Sequence, residues 1–162
     1  MADAEHEQAH SPCTWILTGG LENFEIYRER GFDVIGFKER RVRQAEKFGP
    51  GDEIIFYVTG VQAFGGIARV TSDMYEDRTP IWPQGKKKYP EAYPWRVDAE
   101  PVLVLGDEEF VPAESLLGEL EHIGKWPAEH WQLAFQGQLR TITEKDAKLL
   151  RSRIERAAAI RA

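Results

Sequence analysis

Apolar and polar positions alternate along five stretches of the chain, as side chains do in a half-buried strand. β-branched and aromatic residues are frequent there, and turn residues such as the pair Gly19-Gly20 separate the stretches. The pattern predicts strands over residues 13–18, 32–37, 53–58, 64–71 and 95–105. We expect the third and fourth of these to pair antiparallel. Pro101 lies inside the last one, which indicates a bulge or a sheet edge.

A short helix is predicted directly after the first strand. Residues 24–30 place Phe24 and Tyr27 on one helical face. Asn23 precedes them as the predicted N-cap, and Gly31 follows as the expected left-handed residue beyond the helix.

The remaining segments predict further helices and one long loop. We expect helices in the basic stretch 39–48 and within residues 111–120, whereas the aromatic segment 126–135 has no clear assignment. Thr143 and Asp146 form a capping-box-like start to a C-terminal amphipathic helix, which we expect to close the barrel. Residues 72–93 contain three prolines and a lysine triplet, so they predict an irregular binding loop. The fold class is therefore α+β.

Composition limits the size and class of the protein. A chain of 162 residues is long enough for one well-cored domain, which we assign to residues 13–160, with residues 1–12 as a flexible polar tail. No apolar run is long enough to span a membrane, and the first residues lack the pattern of a secretory signal. The single cysteine, Cys13, fits a reducing compartment. We expect a cytoplasmic monomer that does not bind membranes.

The charge of the chain is negative overall but locally basic. A net charge of −6 argues against a protein that coats nucleic acid through many phosphate contacts. The segment 38–47 nevertheless concentrates Lys38, Arg40, Arg41 and Arg43. Such a strip could hold the phosphates around a captured nucleotide, although each of these charges could equally be an ordinary solvated side chain.

Two residues carry the clearest candidate binding chemistry. The amide of Asn23 offers both a donor and an acceptor, which pairing with the edge of a base requires, although an N-cap role explains the same residue. Trp82 lies between two prolines in the predicted loop, where an aromatic ring is available to stack on a base. Trp15 and Trp95 lie in strands and are assigned to the core.

Catalytic patterns are absent from the sequence. His6, His10, His122 and His130 are scattered without metal-ligand spacing, and no glycine-rich phosphate loop is present. Cys13 is interpreted as a buried small apolar residue near a strand start rather than a nucleophile. We predict no enzyme activity, no metal and no cofactor.

Several motifs follow one another in a specific order: Trp15-Ile-Leu, Glu22-Asn23, Gly36, Pro50-Gly-Asp before Ile54-Ile-Phe-Tyr-Val, Gly66-Ile-Ala-Arg-Val, Tyr93-Pro-Trp-Arg-Val and Phe135-Gln-Gly-Gln-Leu-Arg. Their order and spacing together resemble the EVE domain, a PUA-like fold related to the YTH readers of methylated RNA. The resemblance spans about residues 14–154. It implies a PUA-like, mostly antiparallel β-barrel with flanking helices and a base pocket beside the first strand and helix.

The resemblance also implies roles for individual residues. Asn23 corresponds to the asparagine that contacts the base edge, Trp82 to a cage wall, and Gly36 to a backbone contact with the exocyclic group. Ile35 stands where the YTH cage has a tryptophan, which argues against N6-methyladenine. We expect a base pocket of Thr18, Asn23, Ile35, Gly36 and Trp82, and phosphate or rim contacts from Lys38, Arg40, Arg41 and Arg96.

The predicted function is that of a non-enzymatic binding module for a modified nucleobase. The resemblance favours modified cytosine in DNA, with RNA as the other possible partner. Alternatives are a module for a free nucleotide or another small planar ligand, a small hydrolase using His130 or Cys13, and an aromatic face covered by a protein partner. Whether Trp126, His130, Trp131 or Phe135 also line the pocket stays open at this point.

Overall fold

A computed structural model describes residues 11–82 and 93–160 of the chain. Its strands are β1 (Thr14–Gly19), β2 (Val34–Phe37), β3 (Glu53–Val58), β4 (Ala63–Val70), β5 (Tyr75–Glu76), β6 (Trp95–Val104), β7 (Val111–Pro112) and β8 (Leu139–Ile142). The α-helices are α1 (Leu21–Glu29), α2 (Val42–Ala45) and α3 (Glu144–Ile160). Short 3₁₀ helices cover Glu39–Arg41, Asp107–Glu109, Ala113–Leu116, Ile123–Lys125 and Ala128–Phe135.

The strands form one curled sheet in the order β2-β6-β4-β3-β1-β8, with β5 pairing to β6 and β7 to β4. β1 and β3 run parallel, and the other pairs are antiparallel. The α+β class and the barrel-like, mostly antiparallel sheet are confirmed. Because β1 and β3 are parallel, their carboxyl ends meet at one edge of the sheet, and the start of the antiparallel β8 lies at the same edge.

Strand predictions agree closely with the structure. The five predicted stretches correspond to β1, β2, β3, β4 and β6. The register between β4 and β6 shifts between Ile67 and Ala68, so that Ile67 faces Leu103 and Ala68 faces Pro101. The extra residue next to Pro101 confirms the predicted bulge, because a proline cannot donate to the ladder.

The start of α1 differs from the prediction. Gly20, not Asn23, is the N-cap, and the Phe24 N–H donates to the Gly20 carbonyl at 3.1 Å. The helix begins earlier because Gly20 takes the extended conformation of an N-cap, at φ −80° and ψ 165°. Asn23 therefore lies within the first turn, and its predicted capping role is wrong. Gly31 has φ +70°, as predicted for the residue after the helix.

Two other helical predictions are only partly correct. Residues 39–48 form a 3₁₀ turn and the single-turn α2, after which Phe48 stacks on Phe37 with ring centroids 4.8 Å apart. Residues 111–120 begin as β7, where Val111 pairs with Phe64, and continue as a 3₁₀ turn. Of the predicted loop, residues 83–92 lie outside the described residues, including the lysine triplet.

The C-terminal helix confirms one half of its predicted cap. The Thr143 hydroxyl accepts the Asp146 N–H at 3.1 Å. The carboxylate of Asp146 instead accepts the N–H groups of Glu121 and His122, both at 2.9 Å. The buried Asp146 carboxylate thus bonds the first turn of α3 to the main chain at residues 121 and 122.

Successive side chains along β1 and β3 point to opposite faces of the sheet, so these strands contribute alternately to two separate cores. The first core contains Trp15, Leu17, Phe24, Tyr27, Phe32, Phe37, Ile54, Phe56 and Trp82. The second core contains Ile16, Ile55, Tyr57, Phe64, Leu116, Trp131, Phe135, Leu150 and Ile154. α1 covers the first core, and α3 covers the second. Within the part of the chain that the structure describes, none of the helices is both long and apolar enough to cross a membrane.

Candidate functional site

A cavity of about 480 Å³ opens where the carboxyl ends of β1 and β3 meet the start of α1. The segment before β8 forms its other side. Its aromatic walls are Phe24, Tyr27, Phe56, Tyr57, Tyr93 and Phe135. Because Phe56 belongs to the first core and Tyr57 to the second, the cavity lies where the two cores come together at the strand ends.

The first turn of α1 places Asn23 in the cavity wall. Its side-chain amide makes no hydrogen bond to any residue in ranges 11–82 and 93–160. An amide donor and an amide acceptor are therefore both available to a ligand. Thr18 lies opposite on β1, where its N–H donates to the Gln138 carbonyl at 2.8 Å.

A side-chain hydrogen bond closes the sheet next to the cavity. β2 and β8 are the two ends of the strand order, and the Lys38 N–H that follows β2 donates to Gln138 Oε1 at 3.0 Å. Gln44 Nε2 donates to the Leu139 carbonyl at 3.0 Å on the same seam. Because Gln138 Oε1 is the acceptor for a main-chain N–H, the orientation of its amide is fixed, and its NH₂ group is the donor that remains for a ligand.

A ring pair on one side and a hydrogen bond on the other fix the walls of the cavity. Tyr57 and Phe135 stack with ring centroids 4.1 Å apart and an interplanar angle of 10°. Burial raises the pKa of Tyr57 to about 12, so its hydroxyl stays protonated at neutral pH. On the other side, the Tyr27 hydroxyl accepts the Gly36 N–H at 3.4 Å, and burial raises the pKa of Tyr27 as well.

The sequence matches a family model described as the EVE domain over residues 15–153. The chain belongs to the EVE family. A UPF0310 protein of Pyrococcus abyssi is 29% identical over 147 residues, which cover 85% of this chain and 96% of that protein. A UPF0310 protein of Saccharolobus solfataricus is 31% identical over 142 residues, covering 84% and 91% respectively.

Solved YTH domains share the fold of this EVE domain. The YTH domain of the Zygosaccharomyces rouxii MRB1 protein, in complex with N6-methyladenosine RNA, superposes with a TM-score of 0.60 and 17% sequence identity. The alignment covers 87% of this chain and 85% of that domain. At this level of identity the likeness establishes the PUA-like architecture that the sequence predicted.

The cavity of the EVE domain brings together some of the predicted site residues. Thr18, Asn23, Lys38 and Arg40 lie in its lining, and so does Phe135, which the sequence left open. Ile35 is fully buried in the first core and is not among the lining residues. Arg41 lies just outside, with its guanidinium close to Gly137. The ligand contacts of all these residues stay predictions.

Trp82 lies behind the cavity wall. It is only 3% exposed and packs against Tyr27 and Tyr93, whose ring centroids are 5.4 and 5.8 Å away. A Cβ on Gly36 would come within 2.5 Å of the Trp82 ring, so residue 36 must be glycine for Trp82 to occupy this place. Trp82 therefore braces two lining tyrosines instead of facing the cavity itself.

Arg96 occupies the interior next to Trp82. It is 1% exposed, its guanidinium lies 5.2 Å from the Trp82 ring, and its Nε donates to the Tyr93 carbonyl at 3.1 Å. It also donates to the Thr79 carbonyl and faces Asp77 at 3.5 Å. Tyr93 itself has φ +49°, an unusual conformation for an aromatic residue, and it lines the cavity. Arg96 thus binds both the segment just before Trp82 and the main chain of Tyr93.

Sequence reasoning missed several lining residues. Tyr27 is four positions from Asn23 on α1, so helical spacing alone places both on one face and could have found it. Tyr57 could not be found in this way, because strand alternation directs it to the second core. Among the other residues left open, Trp131 is buried in the second core, and Trp126 is half-buried outside the lining.

The predicted nucleophile candidates have unsuitable surroundings for catalysis. Cys13 is exposed directly before β1, so its predicted burial is wrong. Partial desolvation and the Asp52 carboxylate raise the pKa of the Cys13 thiol, the opposite of what an activated thiolate needs. His130 is exposed and lies outside the cavity lining. Among the described residues, no group of three or more potential metal ligands comes together.

Proposed function

We propose that this EVE domain is a non-enzymatic module that captures one modified nucleobase from a nucleic acid strand. The observation that carries the proposal is a ring-lined cavity with an uncommitted Asn23 amide in its wall. Aromatic walls stack on the faces of a base, and an amide pairs with its edge. A cavity of about 480 Å³ is within the size range of small-ligand sites in proteins.

We further propose that the preferred base is a modified cytosine in DNA. The Asn23 amide presents a donor and an acceptor together, which suits the N3 and N4 edge of cytosine. The Gln138 NH₂ group offers a second donor for the exocyclic oxygen. Capture requires the base to leave its stack, which costs a few kcal/mol and is easiest in a single strand or a weakened pair.

N6-methyladenosine in RNA is the second candidate. It is supported by the shared fold of the YTH domain that was solved with such RNA. Against it, Ile35 replaces a cage ring in the predicted correspondence and lies buried in the core.

We also propose that residues 13–160 act as a single monomeric domain.

The test is a titration with matched short oligonucleotides that are unmodified or carry 5-methylcytosine, 5-hydroxymethylcytosine or N6-methyladenine. Tryptophan fluorescence reports binding to the wild type and to Asn23→Ala. We expect selective binding of one modified cytosine, weakened about tenfold in the variant, because one base-edge contact contributes roughly 1–3 kcal/mol. Glu22→Ala, an exposed change in the same helical turn, is the matched control and should bind like the wild type.

Other outcomes separate the alternatives. Binding of the free modified nucleoside without binding of any of the oligonucleotides would replace the proposal with a binder of small planar ligands. Selective binding of the N6-methyladenine strand would favour the second candidate. Recovery of an altered ligand after incubation would indicate an enzyme. Equal weak binding of all strands, unaffected by Asn23→Ala, would rule out base capture in this cavity.

A further inference from the structure

The arginines of this chain divide into two groups by their partners. One group has a carboxylate oxygen within ion-pair distance and contains Arg28, Arg30, Arg69, Arg78, Arg96, Arg151 and Arg153. Within residues 11–82 and 93–160, the others have no such partner: Arg40, Arg41, Arg43, Arg140 and Arg156. The chain has 27 acidic residues against 21 basic ones, so carboxylates are plentiful. An arginine without one is open to an anionic ligand.

Most arginines of the second group lie along one side of the cavity. Arg40 is in its lining, and Arg41 places its guanidinium next to Gly137 of the opposite segment. Arg140 donates from Nε and Nη2 to the carbonyl of Gln136, at 3.0 and 2.8 Å. Gln136 and Gly137 both line the cavity. Arg41 and Arg140 therefore both lie next to the segment 136–138.

Arg140 also stacks on an aromatic ring. Its guanidinium carbon lies 5.6 Å from the centroid of Trp126, which is half-buried. Trp126 in turn contacts His122 edge-on, at 5.6 Å between centroids, and His122 contacts the lining residue Phe135 at the same distance. A continuous line of rings thus connects the cavity wall to Trp126. Two hydrogen bonds to Gln136 fix the plane of the guanidinium.

We infer that Trp126 and Arg140 form a second binding site, which takes the nucleotide next to the captured base. The base of that nucleotide stacks on the Arg140–Trp126 pair, and its phosphate binds the arginines beside segment 136–138. This inference rests on the proposed function, because it assumes that a strand enters the cavity. It assigns the strand a path that leaves the cavity across Gln136 and Gly137.

The chemistry of the pair fits a nucleotide better than simple packing. The guanidinium of Arg140 over the Trp126 ring offers a charged plane on which any base can stack, and the N–H groups of a guanidinium are good donors to a phosphate. Arg153 pairs with the Glu119 carboxylate at 2.6 Å, whereas the partners of Arg140 are a main-chain carbonyl and a ring. One stacked base and a few phosphates also need no basic surface elsewhere, in agreement with the net charge of −6.

The experiment compares ligands that differ by one nucleotide. The probes are the modified nucleoside preferred by the wild type, two dinucleotides that add one unmodified nucleotide on its 5′ or its 3′ side, and the same two dinucleotides without the modification. Deoxyribose and ribose forms of each are used. Affinities are measured by calorimetry for the wild type, Arg140→Gln, Trp126→Leu and the control Arg156→Gln. Arg156 is an exposed member of the same unpaired group, on α3 and outside the cavity lining.

We expect one of the two dinucleotides to bind the wild type about tenfold more tightly than the nucleoside, as one stacked base contributes. Arg140→Gln and Trp126→Leu should each remove most of this gain and leave the nucleoside affinity unchanged. The slope of log affinity against log salt concentration for the dinucleotide should be shallower by about 0.7 in Arg140→Gln than in the wild type, because one phosphate contact is lost. Arg156→Gln should behave like the wild type. Thermal unfolding checks that both site variants are folded. Arg140→Lys keeps the positive charge, so it should recover part of the salt dependence but not the affinity that stacking contributes.

The failure of this inference differs from a failure of the proposed function. Equal losses for nucleoside and dinucleotide would mean that the pair only supports the cavity wall, and no gain from either dinucleotide would mean that no second site exists. Both results leave base capture standing. If the wild type instead binds modified and unmodified dinucleotides alike, and Arg140→Gln weakens both, base selectivity is wrong while the Arg140–Trp126 site is supported.

Discussion

The two walls of the cavity come from different cores and are built in different ways. On the α1 side, Tyr27 and Tyr93 rest on Trp82, which is enclosed by the backbone of Gly36 and the buried Arg96. On the other side, Tyr57 stacks on Phe135, and a line of rings leads through His122 to Trp126 at the surface. The first wall ends inside the protein, whereas the second continues outward.

This difference assigns separate tasks to the walls. A wall closed by tight packing and a buried charge holds its shape without a ligand, which is what recognition of a rigid base edge needs. A wall that continues to half-buried rings and unpaired arginines suits the part of a ligand that extends beyond the cavity. Substitutions in the first wall should therefore affect stability most, and those in the second wall should affect it less.

The largest effect is expected from Gly36→Val in the first wall. A side chain there would overlap the Trp82 ring, which the first core leaves no room to displace. We expect a loss of about 2–3 kcal/mol in the free energy of unfolding, measured by urea denaturation. Gly124→Val is the matched control, since a Cβ on Gly124 meets no atom within 4 Å. A stable Gly36→Val protein with unchanged tryptophan fluorescence would contradict the packing argument.

A smaller effect is expected from Phe135→Leu in the second wall. The change removes the stacking with Tyr57 but keeps an apolar side chain, so about 1–2 kcal/mol of stability should be lost. Ligand affinity should fall more than in the exposed control Leu133→Ala. Denaturation and titration of both variants provide the measurement. The comparison fails if Phe135→Leu destabilises the protein as much as Gly36→Val does.

The smallest effect is a pH dependence from His122 behind the second wall. Burial lowers the pKa of His122 below 6.5, and nearby Arg140 and Lys125 act in the same direction, while Asp146 and the bond to the Ala134 carbonyl oppose it. The unfolded state therefore takes up the proton first. Stability is full above pH 6.5 and is lost as the pH falls through the lower pKa of the folded state.

The control for this pH dependence is His122→Gln, which cannot titrate in this range. Denaturation midpoints of the wild type should fall between pH 7 and pH 5 by more than those of the variant. Parallel pH profiles of the two proteins would show that His122 does not contribute to the difference.

Alternating strands and glycine turns were predictable from sequence because they depend on local chemistry. β3 and β4 follow from the alternation of apolar residues, and Gly31 follows from the need for a left-handed residue after α1. The start of α1 was harder, since Gly20 and Asn23 are both good N-caps and only the path of the chain decides between them. β7 was missed because its two residues are defined by pairing with β4, not by a pattern of their own.

The site was predictable where one element determines it and not where several meet. Asn23 and Thr18 lie at the end of β1 and in the following turn of helix, so the family resemblance located both beside the cavity. The place of Trp82 depends on Gly36 and Arg96, which are distant from it in the chain, and the loop context gave no sign of its burial. The unpaired state of Arg140 likewise depends on which carboxylates the fold brings near.

The side-chain seam between β2 and β8 has a consequence for how such a domain can change. Ladder hydrogen bonds demand a fixed backbone, but the bond from Lys38 to Gln138 and that from Gln44 to Leu139 depend on two glutamine side chains. A substitution of either glutamine would remove a bond of this seam, whereas the main-chain hydrogen bonds between strands would all keep both of their partners. We therefore expect the seam to tolerate changes beside the cavity that would disrupt the sheet if they fell on a strand ladder.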